Sequence, residues 1–142
     1  MDSAGLAPFL WICTCLVGGR VVGQLVVVSW APRWLPPMER WQSGLVPYWF
    51  LLASQVVVIW LMASIAIDFS RGTGFWVEPR RWAGPAAYYW SYLYGGAMAA
   101  RYVIRMSRYP RERWFGGTIP IVFHTIVAAF QWAFGWYQMS GA

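Results

Sequence analysis

Apolar residues in this chain come in long blocks and do not alternate with polar ones. Four blocks stand out, over residues 9–30, 47–67, 85–106 and 118–137. Each is close to the roughly 20 residues that a helix needs to cross a bilayer. The breaks between them carry the signals that stop helices. APRWLPPMERWQSG has three prolines, which cannot continue a helix and hold the residue before them extended. DFSRGTGFWVEPRRWAG is rich in glycine and charge. Gly116 and Gly117 precede Thr118, an N-cap residue type, and Pro120 then falls in the first turn where proline is tolerated. The pattern predicts an all-α, polytopic membrane protein: one domain of four transmembrane helices in a single bundle, with no internal repeat.

Composition strengthens this picture. Of 142 residues 59% are hydrophobic, 20% aromatic and only 11% charged, against about 25% charged in soluble domains. A soluble fold of this length cannot hide so much apolar surface in one core. The net charge of +6 comes from arginine alone, since the sequence has no lysine. These arginines sit in short loops beside the apolar blocks, where membrane topology places them, so nucleic-acid binding is set aside. The first and third loops carry Arg33, Arg40, Arg105, Arg108, Arg111 and Arg113, and the second carries Arg71, Arg80 and Arg81. The excess places loops 1 and 3 in the cytoplasm and both termini outside, in the cell inner membrane. MDSAGLAP lacks the basic start of a signal peptide, so the first block is expected to stay as a helix. Tyr88, Tyr89, Trp90, Tyr92, Trp41, Trp49, Trp82 and Trp114 lie near predicted helix ends, as aromatic belts do.

Candidate chemistry is sparse. Cys13 and Cys15 are two apart and point to different sides of a helix, so they read as inert thiols. No P-loop, dinucleotide-binding glycine motif, zinc-protease motif, histidine box or nucleophile elbow is present, and GTGFW lacks a strand-to-helix context. No block holds a carboxylate pair, so stand-alone catalysis is hard to build and no catalytic residue or metal ligand is assigned. The single histidine, His124, excludes a bis-histidine haem within the chain, and the sequence names no cofactor.

Arg20 is the most informative residue. It lies mid-block with Gln24 one turn on, and a charge at that depth costs at least about 2.5–3.5 kcal/mol on insertion scales, so it must face protein or a wet cavity. No acidic residue lies mid-block; Asp68, at the end of the second block, comes nearest. His124, Ala128, Gln131, Gly135 and Gln138 form one stripe of the fourth helix, a pattern that serves helix packing or a polar track to His124. Together these give a candidate ligand-binding polar centre of Arg20, Gln24, Gln55, His124 and Gln131. Ser91, Gly95 and Ala99 offer a small-residue face for another membrane subunit or a second copy. Arg101, Arg105 and Arg108 share a helix face and, with Arg111 and Arg113, are placed to meet anionic lipid.

Pro120, Phe130, Gly135 and Gln138, after an arginine-bearing helix, resemble one stretch of the steroid 5α-reductase family, whose N-terminal half also has four spans. The resemblance implies a membrane reductase acting on a sterol-like lipid. The second block lacks the acidic residue of that family's substrate site, and nothing here corresponds to its nicotinamide-binding half, so no catalytic residue is carried over. Two functions follow as expectations. One is a non-catalytic subunit or accessory factor of a membrane complex, binding anionic lipid through its arginines. The other is a redox or lipid-modifying component that takes a quinone or sterol-like lipid into an intramembrane polar pocket.

Overall fold

The computed structural model describes residues 2–37, 41, 47–109 and 118–141, and they form four α-helices: α1 (Ser3–Trp30), α2 (Tyr48–Arg71), α3 (Ala83–Arg108) and α4 (Thr118–Ser140). At 1.5 Å per residue these are about 35–42 Å long. Helices α1, α2 and α4 are long and apolar enough to cross a membrane. Helix α3 falls short on composition, because it combines five tyrosines with Arg101, Arg105 and Arg108 in its last turns.

The helices outrun the apolar blocks because local caps, not the loss of hydrophobicity, end them. Asp2 caps α1, its carboxylate accepting from the Gly5 N–H at 3.1 Å. At the other end Ala31 turns left-handed, with its N–H on the Val27 carbonyl at 3.0 Å, and Pro32 forbids continuation. Helix α2 carries on through Asp68 and Arg71 until Gly72 takes φ 69°, a conformation glycine adopts without steric cost.

Helix α1 packs on α2 and α4, and α3 packs on α4, giving the lateral order α2–α1–α4–α3, while α2 and α3 stand apart. Leu6, Leu10, Cys13 and Val17 recur at helical spacing on the buried side of α1. They meet Met62, Ile65, Ala66 and Phe69 of α2 and Phe130, Ala133 and Phe134 of α4 in one core. Phe69 is fully buried, its ring 4.6 Å from that of Tyr137 and 6.0 Å from that of Phe134.

The opposite flank of α4 joins α3 through small residues. A Cβ on Gly135 would lie 2.5 Å from the Tyr88 nitrogen, and one on Gly84 would lie 3.1 Å from the Met139 nitrogen. Ser91 is buried, and Gly95 faces the Ala128 methyl, where an added Cβ would come to 3.6 Å. Two of the three positions offered to a partner helix are therefore used within the chain; Ala99 is exposed.

The second loop is strapped across the end of the bundle formed by the α2 C-terminus and the α3 N-terminus. The buried Gln138 amide donates to the Trp76 carbonyl at 2.6 Å and accepts from the Arg80 N–H at 2.8 Å. Asp68 accepts from the Trp76 N–H at 3.1 Å. At the same end the Trp11 indole donates to the Ser70 hydroxyl at 2.9 Å and pins α1 to α2.

Candidate functional site

The buried stripe of α1 continues from Val17 to Arg20, Gln24 and Val27 at the same three- and four-residue steps. The face that builds the core in one half of the helix therefore carries an arginine and a glutamine into the interior of the other half. Arg20 is 8% exposed and Gln24 fully buried. Arg20 donates from Nη2 to the Trp41 backbone carbonyl at 2.8 Å, and Gln24 donates to the same oxygen at 3.3 Å. Its guanidinium also lies 5.5 Å from the centre of the Phe123 ring. Trp41 is buried, not part of a lipid-facing belt: its indole lies over Gly23, where an added Cβ would come to 2.8 Å, and donates to the Pro36 carbonyl at 2.9 Å. The loop tryptophan thus satisfies two buried donors with one carbonyl.

A cavity of about 140 Å³ opens beside the guanidinium, lined by Arg20, Gln55, Ser54, Tyr94, Phe123 and His124 with aliphatic residues of α1, α2 and α4. All four helices contribute to it. Gln55 lies seven residues into α2 and His124 six residues into α4, so the cavity is about 10 Å from the helix ends on the side of loops 1 and 3. The Tyr94 hydroxyl and His124 Nδ1 share a hydrogen bond across the α3–α4 interface. An imidazole that accepts the phenol proton at Nδ1 carries its own proton on Nε2, as a donor.

Among the described residues no carboxylate pairs with Arg20, and its Nε–H has no partner; Gln24 Oε1, Gln55 Oε1 and Gln131 Oε1 are likewise unpaired. Asp68, the nearest acid by sequence, caps the second loop at the other end of the bundle. Of the five residues expected to form a polar centre, the structure brings Arg20, Gln55 and His124 to one cavity. Gln24 is committed to the Trp41 carbonyl, and Gln131 lines a second cavity.

That second cavity, of about 520 Å³, is an apolar slot between α2 and α3. Its floor is Met62 and Ile65 of α2 with Phe130 and Phe134 of α4, all buried, and its rims are the exposed Val58, Leu61 and Trp90. Trp76 of the strapped loop closes the far end. Val58, Tyr94 and Val127 line both cavities, so the polar pocket and the slot share a wall.

Sequence reasoning missed Tyr94 and the Trp41 carbonyl. Tyr94 had a readable signal: it precedes Gly95 of the small-residue stripe and stands two turns before Arg101 on the same face of α3. Arg101 and Arg108 are exposed, and the Arg105 guanidinium lies 5.7 Å from the centre of the Tyr109 ring. Arg111 and Arg113, assigned with them to anionic lipid, lie outside the described residues, as do Arg40 and Trp114. Cys13 is buried and Cys15 exposed, and both are free thiols. The described residues contain no group of His, Cys, Asp and Glu side chains that could hold a metal. The sequence matches no protein-family model, no curated protein and no solved structure.

Proposed function

We propose that this chain is a four-span membrane protein that holds an amphiphilic, lipid-like molecule in the slot between α2 and α3, with the polar end of that molecule in the Arg20 pocket. The observation that carries the reading is the shared wall between a small polar cavity and a large apolar one. The slot falls within the range of about 300–1,000 Å³ that small-molecule sites occupy, and such sites pair an apolar lining with a few placed polar groups. Because α2 and α3 stand apart, the ligand reaches the slot sideways from the hydrocarbon layer. Helix α3 completes the set of spans. It carries no charge from Ala83 to Ala100, and its arginines gather at one end, where their stems can lie along lipid while the guanidinium groups reach headgroups.

The alternative role, as a non-catalytic subunit, has less to support it, because Ser91 and Gly95 are turned onto α4. The reading is one of binding, and a quinone, a sterol-like lipid or a chain lipid each suits the slot.

Val127→Trp tests it by filling the wall common to both cavities. The variant should fold and reach the membrane at ordinary levels. Mass spectrometry of protein purified in mild detergent should show a stoichiometric amphiphile with the unaltered chain and its loss from the variant. Equal amounts on both proteins, or only bulk lipid on either, would sink the proposal.

A further inference from the structure

We infer that the molecule held in the slot carries a single negative charge on its polar end, with Arg20 as its counter-ion. This inference rests on the slot reading and adds the chemistry of the headgroup. Arginine does not lose its proton in proteins, so the pocket holds a full positive charge that is nine-tenths buried. Its described partners are a neutral carbonyl and the face of a phenylalanine ring, and neither neutralises it. Among the described residues no acid lines the polar cavity or the slot. A buried charge is costly unless it is paired. A neutral ligand carbonyl would satisfy the unpaired Nε–H but leave the charge unmatched, whereas a carboxylate or a phosphodiester does both.

Beside the unpaired Gln55 Oε1 acceptor, the rest of the described pocket supplies donors and no competing anion. His124 and the Gln55 amide both line it and can each present an N–H to a second ligand oxygen. Arg101, Arg105 and Arg108 extend the same sign of charge along α3 to the headgroup layer, which favours delivery of an anion from that side. A fatty-acid carboxylate and the phosphodiester of an acidic phospholipid share this chemistry, and the experiment separates them.

The full-length protein in detergent is offered, one at a time, oleate, methyl oleate, dioleoylphosphatidylglycerol and dioleoylphosphatidylcholine. Binding is read by native mass spectrometry and by the shift in thermal midpoint. Oleate or phosphatidylglycerol should bind one per chain, at least about tenfold more tightly than its uncharged or zwitterionic counterpart, and whichever binds identifies the source. Arg20→Gln should abolish that preference, and Arg20→Lys, which keeps the charge, should retain it should the glutamine variant fail to fold. Neither anion binding more tightly than its uncharged or zwitterionic counterpart, or a preference that survives in Arg20→Gln, overturns the anion inference and leaves the slot reading standing. Failure of all four lipids to bind the unaltered protein overturns the anion inference, whereas the slot reading falls only if the unaltered protein and Val127→Trp also carry the same lipids on purification.

Discussion

Gly135 shows how much a single position decides in this molecule. Its missing side chain lets α4 approach α3 until backbone atoms of Tyr88 and Gly84 occupy the space that a Cβ would need. The obstructing atoms are backbone, so the helices must move apart to admit a methyl group. Gly135→Ala should destabilise by about 1–3 kcal/mol, the usual cost of overpacking. It should also lower the thermal midpoint in detergent. Gly96→Ala is the matched control: nothing lies within 4 Å of its added Cβ. There the higher helix propensity of alanine should leave stability unchanged or raise it slightly. Equal midpoints for the two variants would show that α3 and α4 are not in close contact at Gly135. At this scale the sequence foretold that Arg20 must be sheltered, because charge in lipid is costly whatever surrounds it. It could not foretell the shelter, since the partner is a backbone carbonyl, and carbonyls carry no signature in a sequence. The same holds for Gly135 and Gln138. They were legible as members of a stripe, but not as the place where α3 comes closest and the strap that holds a loop.

Individual elements were more legible than their ends. Proline, glycine and cap residues located four helices, and the differences of a few residues arise because helices continue through charged turns until a cap stops them. Asp68 and Arg71 ended the apolar block, yet Gly72 ends α2. The sequence of the second loop reads only as charged and glycine-rich, whereas hydrogen bonds anchor it to Asp68 of α2 and Gln138 of α4. Gln138→Leu removes two of those bonds and leaves the Arg80 N–H and the Trp76 carbonyl without their partner. Stranding such groups costs about 1–3 kcal/mol each when they are buried, less where water reaches them. Limited trypsin digestion should therefore cut after Arg80 and Arg81 several times faster in the variant. An unchanged rate would mean that Asp68 and the packing of Trp76 hold the loop without the glutamine.

For the whole molecule the sequence is a weaker guide, and the reason is the solvent. In water a helix reveals its buried side by contrast, but lipid is as apolar as a core, so Val57 and Trp60 can face outward without penalty. The lateral order α2–α1–α4–α3 and the gap between α2 and α3 left no periodic trace. Orientation does leave one, in the arginines. If loops 1 and 3 are cytoplasmic, as the arginine excess leads us to propose, an alkaline phosphatase fused after Ala142 should be active, and one fused after Tyr109 should be inactive. The reverse pattern would invert the topology and put the Arg20 pocket nearer the outer surface.

The lateral order also bears on how the molecule is put together. Chain neighbours pair as α1 with α2 and α3 with α4, so the protein amounts to two helical hairpins joined along a seam where α4 meets α1 along its backbone and Phe69 of α2 through its side chains. Neither hairpin holds the pocket alone, since Arg20 and Gln55 come from the first, and Tyr94 and His124 from the second. The proposed occupant of that pocket would touch both halves and bind only the joined form, which by linkage would make it a clasp across the seam. Its supply would then govern how long the two halves stay together.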